Sequence, residues 1–194
     1  MVKRRLFIAI NLTDNTKKKL VEWQEKMADS LARQNFDVGG DPKQIRWTNK
    51  DNLHITLVFI GYVTDDEMYE ICNLTKEVAK KHQPFFINLQ NIIVGPPHDT
   101  PRMFWVEGEK SQELADLQSD LRDAIEQRKG IRYKAFKPHI TLARFKFALA
   151  KILPENINEP FKAQIPVDTI EVMESTLHRT GAEYTVLESV ELGE

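Results

Sequence analysis

The 194 residues carry 27 Lys plus Arg against 29 Asp plus Glu, a net charge of -2, with 41% hydrophobic side chains. That balance suits one globular unit and argues against a protein that wraps long duplex nucleic acid, although a single phosphate or a nucleic-acid end needs only a local cluster. The single cysteine, Cys72, excludes an internal disulfide and a cysteine-based zinc site, and no apolar run approaches the roughly 20 residues of a membrane span.

In chain order, the basic start Lys3-Arg4-Arg5 leads into the short apolar run Leu6 to Ile10. Charged and polar residues follow at once, so a first β-strand explains the run better than a secretory signal, and a cytoplasmic location is expected. Thr13-Asp14 caps a helix over about 14–33, with Leu20, Trp23, Met27 and Leu31 at helical spacing. Residues 35–43 carry Gly39-Gly40 and Pro42 and read as a loop. Ile45-Arg46-Trp47 is a short strand, and residues 52–60 form a strand stopped by Gly61. Thr64-Asp65-Asp66-Glu67 is a capping box that opens a helix to about His82, with Cys72 as a buried structural thiol. Phe85 to Val94 and Met103 to Val106 read as strands flanking a Pro-rich loop that holds His98. Ser111 opens a helix to about Lys129 whose buried stripe is Leu114, Leu117, Leu121 and Ile125. Lys137 to Phe145 is a strand, and after a stretch punctuated by Pro154 and Pro160 two strands close the chain, near 165–175 and 183–192.

The tetrapeptide His-x-Thr-Leu occurs twice, as His54-Ile55-Thr56-Leu57 and His139-Ile140-Thr141-Leu142, each inside a strand. With ordinary residue usage two copies arise by accident in roughly one chain in a few thousand of this size, so the pair is a signal rather than noise. On a strand, residues two apart share a face, so His54 aligns with Thr56 and His139 with Thr141. Each motif strand follows a long amphipathic helix and a loop. The repeated order predicts an α+β fold, residues 1–194 forming one domain of two pseudo-symmetric lobes of antiparallel sheet. Helices pack outside, and the motif strands face each other in a central cleft. A monomer of this size needs no partner.

Two imidazoles and two hydroxyls in one small volume can move two protons and hold one phosphate. Imidazole's ordinary pKa of about 6.5 keeps both its forms accessible at neutral pH, so one ring can serve as base and the other as acid with no metal or cofactor. The hydroxyls of Thr56 and Thr141 would donate to the non-bridging oxygens. Aromatic side chains here chiefly fill the core; Trp47 is the candidate for stacking a base. Arg46, Arg102, Lys137 and Lys146 could form a basic rim. His82, His98 and His178 have no ligand-like spacing, and no Gly-rich nucleotide loop is present.

These residues resemble the 2H phosphoesterases, and within them the RNA 2′,3′-cyclic phosphodiesterases historically called 2′-5′ RNA ligases. The resemblance covers nearly the whole chain. It rests on Arg5 to Ile10, on Arg46-Trp47 with Asn52 to Gly61, on Pro138 to Arg144, and on Ser175, Leu177, Gly181 and Tyr184 in the closing hairpin. Ile60 stands where the family commonly has Leu. The resemblance implies hydrolysis of RNA 2′,3′-cyclic phosphate ends to 2′-phosphomonoesters, with 2′-5′ ligation as the reverse. In that reaction His54 is assigned as proton donor and His139 as proton acceptor. The family also brings Arg144 to the phosphate. Arg144 lies five residues past His139, so on a regular strand it would point to the opposite face; its reach or a local bulge must return it. Competing readings are a phosphodiesterase for 2′-5′ oligonucleotides or small cyclic phosphates, and an RNA-end binding module with little turnover.

Overall fold

A computed structural model describes residues 3–33, 45–96, 101–129, 136–145, 157–178 and 181–194. The Gly-Gly loop, His98, Lys146 and Pro154 lie outside them. In chain order the elements are β1 (Arg4–Asn11), α1 (Asp14–Arg33), β2 (Ile45–Trp47), a 3-10 turn (Lys50–Asn52), β3 (His54–Val63), α2 (Asp65–Ala79), β4 (Phe85–Gly95), β5 (Met103–Gly108), α3 (Gln112–Lys129), β6 (His139–Phe145), β7 (Asn158–Val167), β8 (Thr169–His178) and β9 (Gly181–Glu191). The strands join in the order β7-β4-β5-β6-β3-β1-β8-β9, with β2 added beside β6. Every pairing is antiparallel.

The helix starts follow their capping chemistry. The Thr13 hydroxyl accepts from the Thr16 N–H, and the Ser111 hydroxyl accepts from the Leu114 N–H. Thr64 and Glu67 close the full reciprocal box at α2. The stripes expected from periodicity are inside: Leu20, Leu114, Leu117, Leu121 and Ile125 are all essentially inaccessible, and Cys72 is buried. Among the described residues no helix is long and apolar enough to cross a membrane.

Two expectations change. Gly61 does not stop β3. It takes φ +82 beside a bulge at Ile60, a conformation that costs glycine little, and the strand continues to Val63. A strand not expected from the sequence, β7, spans the Pro-containing segment Asn158–Val167. It lies at the edge of the sheet, where Pro160 and Pro166 can leave their missing N–H groups unpaired.

The sheet has two halves, each of four strands with a motif strand innermost: β3-β1-β8-β9 and β6-β5-β4-β7. They meet at one register pair, Ile55 opposite Ile140. These are the x residues of the two His-x-Thr-Leu motifs, so a pseudo-twofold axis passes between them. Both isoleucines are fully buried toward the helices, which sends the flanking His and Thr side chains to the other face. Each half repeats the order strand, long helix, motif strand, as β1-α1-β3 and β5-α3-β6. The helices cross over: Gln24 of α1 bonds to β6, and Gln118 of α3 bonds to β3.

Candidate active site

From His54 to Ile60 and from His139 to Phe145 the two motif strands show the same burial sequence. It runs half-buried, buried, half-buried, buried, buried, exposed, buried. Simple alternation breaks after the fourth residue, and the register shows why. In β3, Ala9 faces Thr56 and Ile8 faces Val58, leaving Leu57 without a partner. In β6, Trp105 faces Thr141 and Phe104 faces Ala143, leaving Leu142 without one. The same bulge therefore occurs three residues after each histidine. An extra residue shifts the side-chain phase by one. Arg144, opposite Met103, thereby rejoins the face that holds Thr141, opposite Trp105. In the other half the shifted position is Phe59, which is 60% exposed.

Each bulge carbonyl is held from the helix layer by a buried glutamine. The Gln24 side-chain amide donates to the Leu142 carbonyl at 2.8 Å and to the Thr48 carbonyl at 2.9 Å. The Gln118 amide donates to the Leu57 carbonyl at 3.4 Å. Only 6% of Gln24 and 7% of Gln118 is exposed. A buried carbonyl at a bulge must find a donor; these amides supply one, joined at Leu142 by the Thr48 N–H.

The histidines are oriented alike by their own backbone. The Nδ1–H of His54 donates to the Asn52 carbonyl at 2.7 Å, and that of His139 to the Lys137 carbonyl at 2.8 Å. A carbonyl only accepts, so Nδ1 carries the proton and Nε2 is the working nitrogen in both rings. Asn52 is itself tied to β9, its amide donating to the Ala182 carbonyl at 2.6 Å. The Thr56 hydroxyl lies 2.8 Å from His54 Nε2. It donates to the neutral ring; once Nε2 is protonated, the ring donates instead and frees the hydroxyl proton for an incoming oxygen. Phe7 and Tyr184 pack on the His54 ring, and Trp105 packs on His139 at 4.5 Å between centroids.

Burial is the main force on both titrations. Together with the charges of His139, Lys17 and Arg144, and against the Asn52 carbonyl, it pushes His54 down to about 4. His139 is lowered for the same first reason; the Lys137 carbonyl and Glu107 oppose the shift, while Arg144 and Lys137 add to it. Arg144 thus bears on both imidazoles. A bound phosphate anion would act in the opposite sense and raise both values.

His54, Thr56, His139, Thr141 and Arg144 share one face. Trp47 does not join them. It lies opposite Ala143 on the helix side, stacked on Phe104 at 5.9 Å and edge-on to Trp23 at 6.5 Å. That is core packing, and it corrects the base-stacking expectation. His82 pairs with Asp120 and His178 with Glu183, both apart from the motif pair. Among the described residues no three His, Cys, Asp or Glu side chains cluster as metal ligands.

Sequence reasoning missed Gln24, Gln118, Lys17 and Glu171. Lys17 and Glu171 are both buried, and the Glu171 carboxyl, pushed up by burial, leaves Oε2 unpartnered among the described residues. The glutamines had a legible signal: each is a polar residue set in the apolar stripe of its helix, four past Leu20 and four past Leu114.

A family model described as the 2′-5′ RNA ligase superfamily matches residues 22–179. Among curated proteins, the RNA 2′,3′-cyclic phosphodiesterase of Aquifex aeolicus is 31% identical over 76% of this chain and 82% of its own length. The one from Thermus thermophilus is 30% identical over 97% and 90%. A crystal structure of a Thermus thermophilus protein superposes with a TM-score of 0.79 at 28% identity, covering 97% of this chain and 98% of that one. Escherichia coli LigT, solved with 3′-AMP, shares the fold at a TM-score of 0.77 and 22% identity, with both chains fully covered.

Proposed function

The chain belongs to the 2′-5′ RNA ligase superfamily, and from that membership and the geometry of its two motif strands we propose that it hydrolyses RNA 2′,3′-cyclic phosphate ends to 2′-phosphomonoesters. The curated relatives carry the name RNA 2′,3′-cyclic phosphodiesterase. The observation that carries the reading here is the pairing of Ile55 with Ile140, which aligns both His-x-Thr pairs on one face with Arg144 bulged in beside them.

His139 takes a proton from water through Nε2, and the water oxygen bonds to phosphorus. The bond from phosphorus to the 3′ oxygen breaks, and His54, protonated at Nε2, delivers its proton to that oxygen. The developing charge on the non-bridging oxygens is met by the hydroxyls of Thr56 and Thr141 and by the Arg144 guanidinium, fixed donors that need no reorganisation. Protonation of His54 turns the Thr56 hydroxyl outward, so the acid and the phosphate clamp become ready together. The same path with a 5′-hydroxyl in place of water, His139 taking its proton and the bond to the 3′ oxygen breaking again, yields a 2′-5′ link. A single domain of two lobes carries the whole set, and neither metal nor cofactor enters the scheme.

The test is turnover of a short RNA 2′,3′-cyclic phosphate in EDTA, with the product isomer read by phosphorus NMR. A 2′-monophosphate is expected. A 3′-monophosphate would reverse the bond choice, and loss of turnover in EDTA would sink the metal-free scheme.

A further inference from the structure

Beside the site lies a second cation that the chemistry above does not use. Strand β2 is three residues long, and its alternation is plain: Ile45 and Trp47 pack against the core while Arg46 is exposed. In the register Arg46 lies directly opposite Arg144, so both guanidinium groups rise from the face that carries the histidines. Like charges directly across an antiparallel pair repel and destabilise it. Among the described residues no carboxylate ion-pairs with either arginine to offset this.

The strand is held firmly enough to keep Arg46 there. The Thr48 N–H donates to the Leu142 carbonyl at 2.8 Å, the carbonyl that Gln24 also binds, and Gln24 reaches the Thr48 carbonyl as well. One anchor thus fixes both arginines. Strand β2 occupies the same edge of β6 as β3, the opposite edge being taken by β5, so Arg46 stands beside Arg144 on the β3 side, with the two backbones about 5 Å apart.

We propose that Arg46 binds the next phosphodiester of an RNA chain, one nucleotide before the cyclic end, and so makes the enzyme prefer an oligonucleotide over a mononucleotide. The inference rests on the reading of the site as acting on RNA cyclic phosphate ends. An exposed cation next to the catalytic cation, oriented alike and with no carboxylate partner among the described residues, matches a ligand with two consecutive anions. A mononucleotide cyclic phosphate offers only one. A guanidinium gives a phosphate oxygen a charge-assisted, forked contact that a neutral side chain does not replace.

The experiment compares adenosine 2′,3′-cyclic phosphate with the dinucleotide ApA ending in a 2′,3′-cyclic phosphate, in the parent and in Arg46→Gln. The ratio of kcat/KM for dinucleotide over mononucleotide should fall about tenfold in the variant. The slope of log(kcat/KM) for the dinucleotide against log salt should shrink by roughly one contact. The melting temperature should hold or rise, since a like-charge repulsion is removed. An equal loss on both substrates would overturn the proposal and give Arg46 to the scissile phosphate, and so would a ratio that does not change. A lowered melting temperature with an unchanged ratio would make Arg46 structural. Affinity for the two 2′-monophosphate products, measured by calorimetry, separates the two readings. If the parent turns over neither substrate, the hydrolase reading fails, yet tighter binding of the dinucleotide that is lost in Arg46→Gln would still support the subsite, and its absence would overturn it.

Discussion

The two motif strands are alike in almost everything that positions a side chain. β3 and β6 share the His-x-Thr-Leu sequence, the order of burial, the bulge three residues after the histidine, and a glutamine from the helix layer on the bulge carbonyl. They differ at the exposed residue that the bulge returns to the shared face: Phe59 in one, Arg144 in the other. A symmetric scaffold thus holds an asymmetric site. One half offers an aromatic surface, with Phe59 beside Phe7 and Tyr184; the other offers cationic groups, Arg144 and Arg46. A nucleotide has the same division, with a flat base at one end and a phosphate at the other.

The symmetric part should break hardest. His54→Ala and His139→Ala should each lower kcat/KM on a cyclic phosphate by about a hundredfold to ten-thousandfold, the range for loss of a positioned proton carrier. Activity retained in either variant would mean that the duplicated histidine in that half is structural.

The asymmetric position comes next. Arg144→Ala should cost about a hundredfold in kcat, as for removal of a donor that meets charge in the transition state. Phe59→Ala should instead raise KM, by a factor equivalent to about 1 kcal/mol of base stacking. Effects of equal size in the same parameter would erase the contrast between the halves.

The bulge sharpens the comparison. Gln24→Leu removes one of the two donors to the Leu142 carbonyl, the Thr48 N–H remaining, and should slacken Arg144, costing about 1 kcal/mol of stability together with activity. A double-mutant cycle reads the coupling: in an Arg144→Ala background, Gln24→Leu should cost far less activity than it does alone. Full additivity would show that Gln24 acts on the fold and not through Arg144.

The smallest effects lie in the pH profile. In the free protein both imidazoles titrate below their ordinary value, so the limbs of kcat/KM should lie on the acid side, whereas those of kcat move upward because the bound phosphate anion favours imidazolium. The two rings have separate handles. Lys17→Met removes a positive charge felt by His54 and should move only its limb up; Glu107→Gln removes a negative charge felt by His139 and should move only that limb down. If His54 is the donor, its raised value leaves more of it protonated at neutral pH, and kcat/KM rises in Lys17→Met. A rate that does not rise would exchange the two roles.

The sequence by itself determined which motif side chains share a face. Period-2 alternation is a local rule, so His54 with Thr56 and His139 with Thr141 could be read from spacing. The repeat of helix, loop and motif strand predicted two related halves, and cap residues marked the helix starts. The tertiary structure decided whatever depended on a partner. Arg144 reaches the shared face because Leu142 is squeezed out of the ladder while Gln24, distant in sequence, receives its carbonyl. No count along β6 contains that contact. Trp47 was misread for a related reason: on a three-residue strand it must face away from Arg46, but only the pairing with Ala143 shows which of the two faces is core. β7 was hidden because Pro160 and Pro166 break an inner strand and are tolerated at an edge, and the edge is a property of the assembled sheet. The low value of His54 likewise comes from burial and from charges on α1 and β6, which only folding brings to its side.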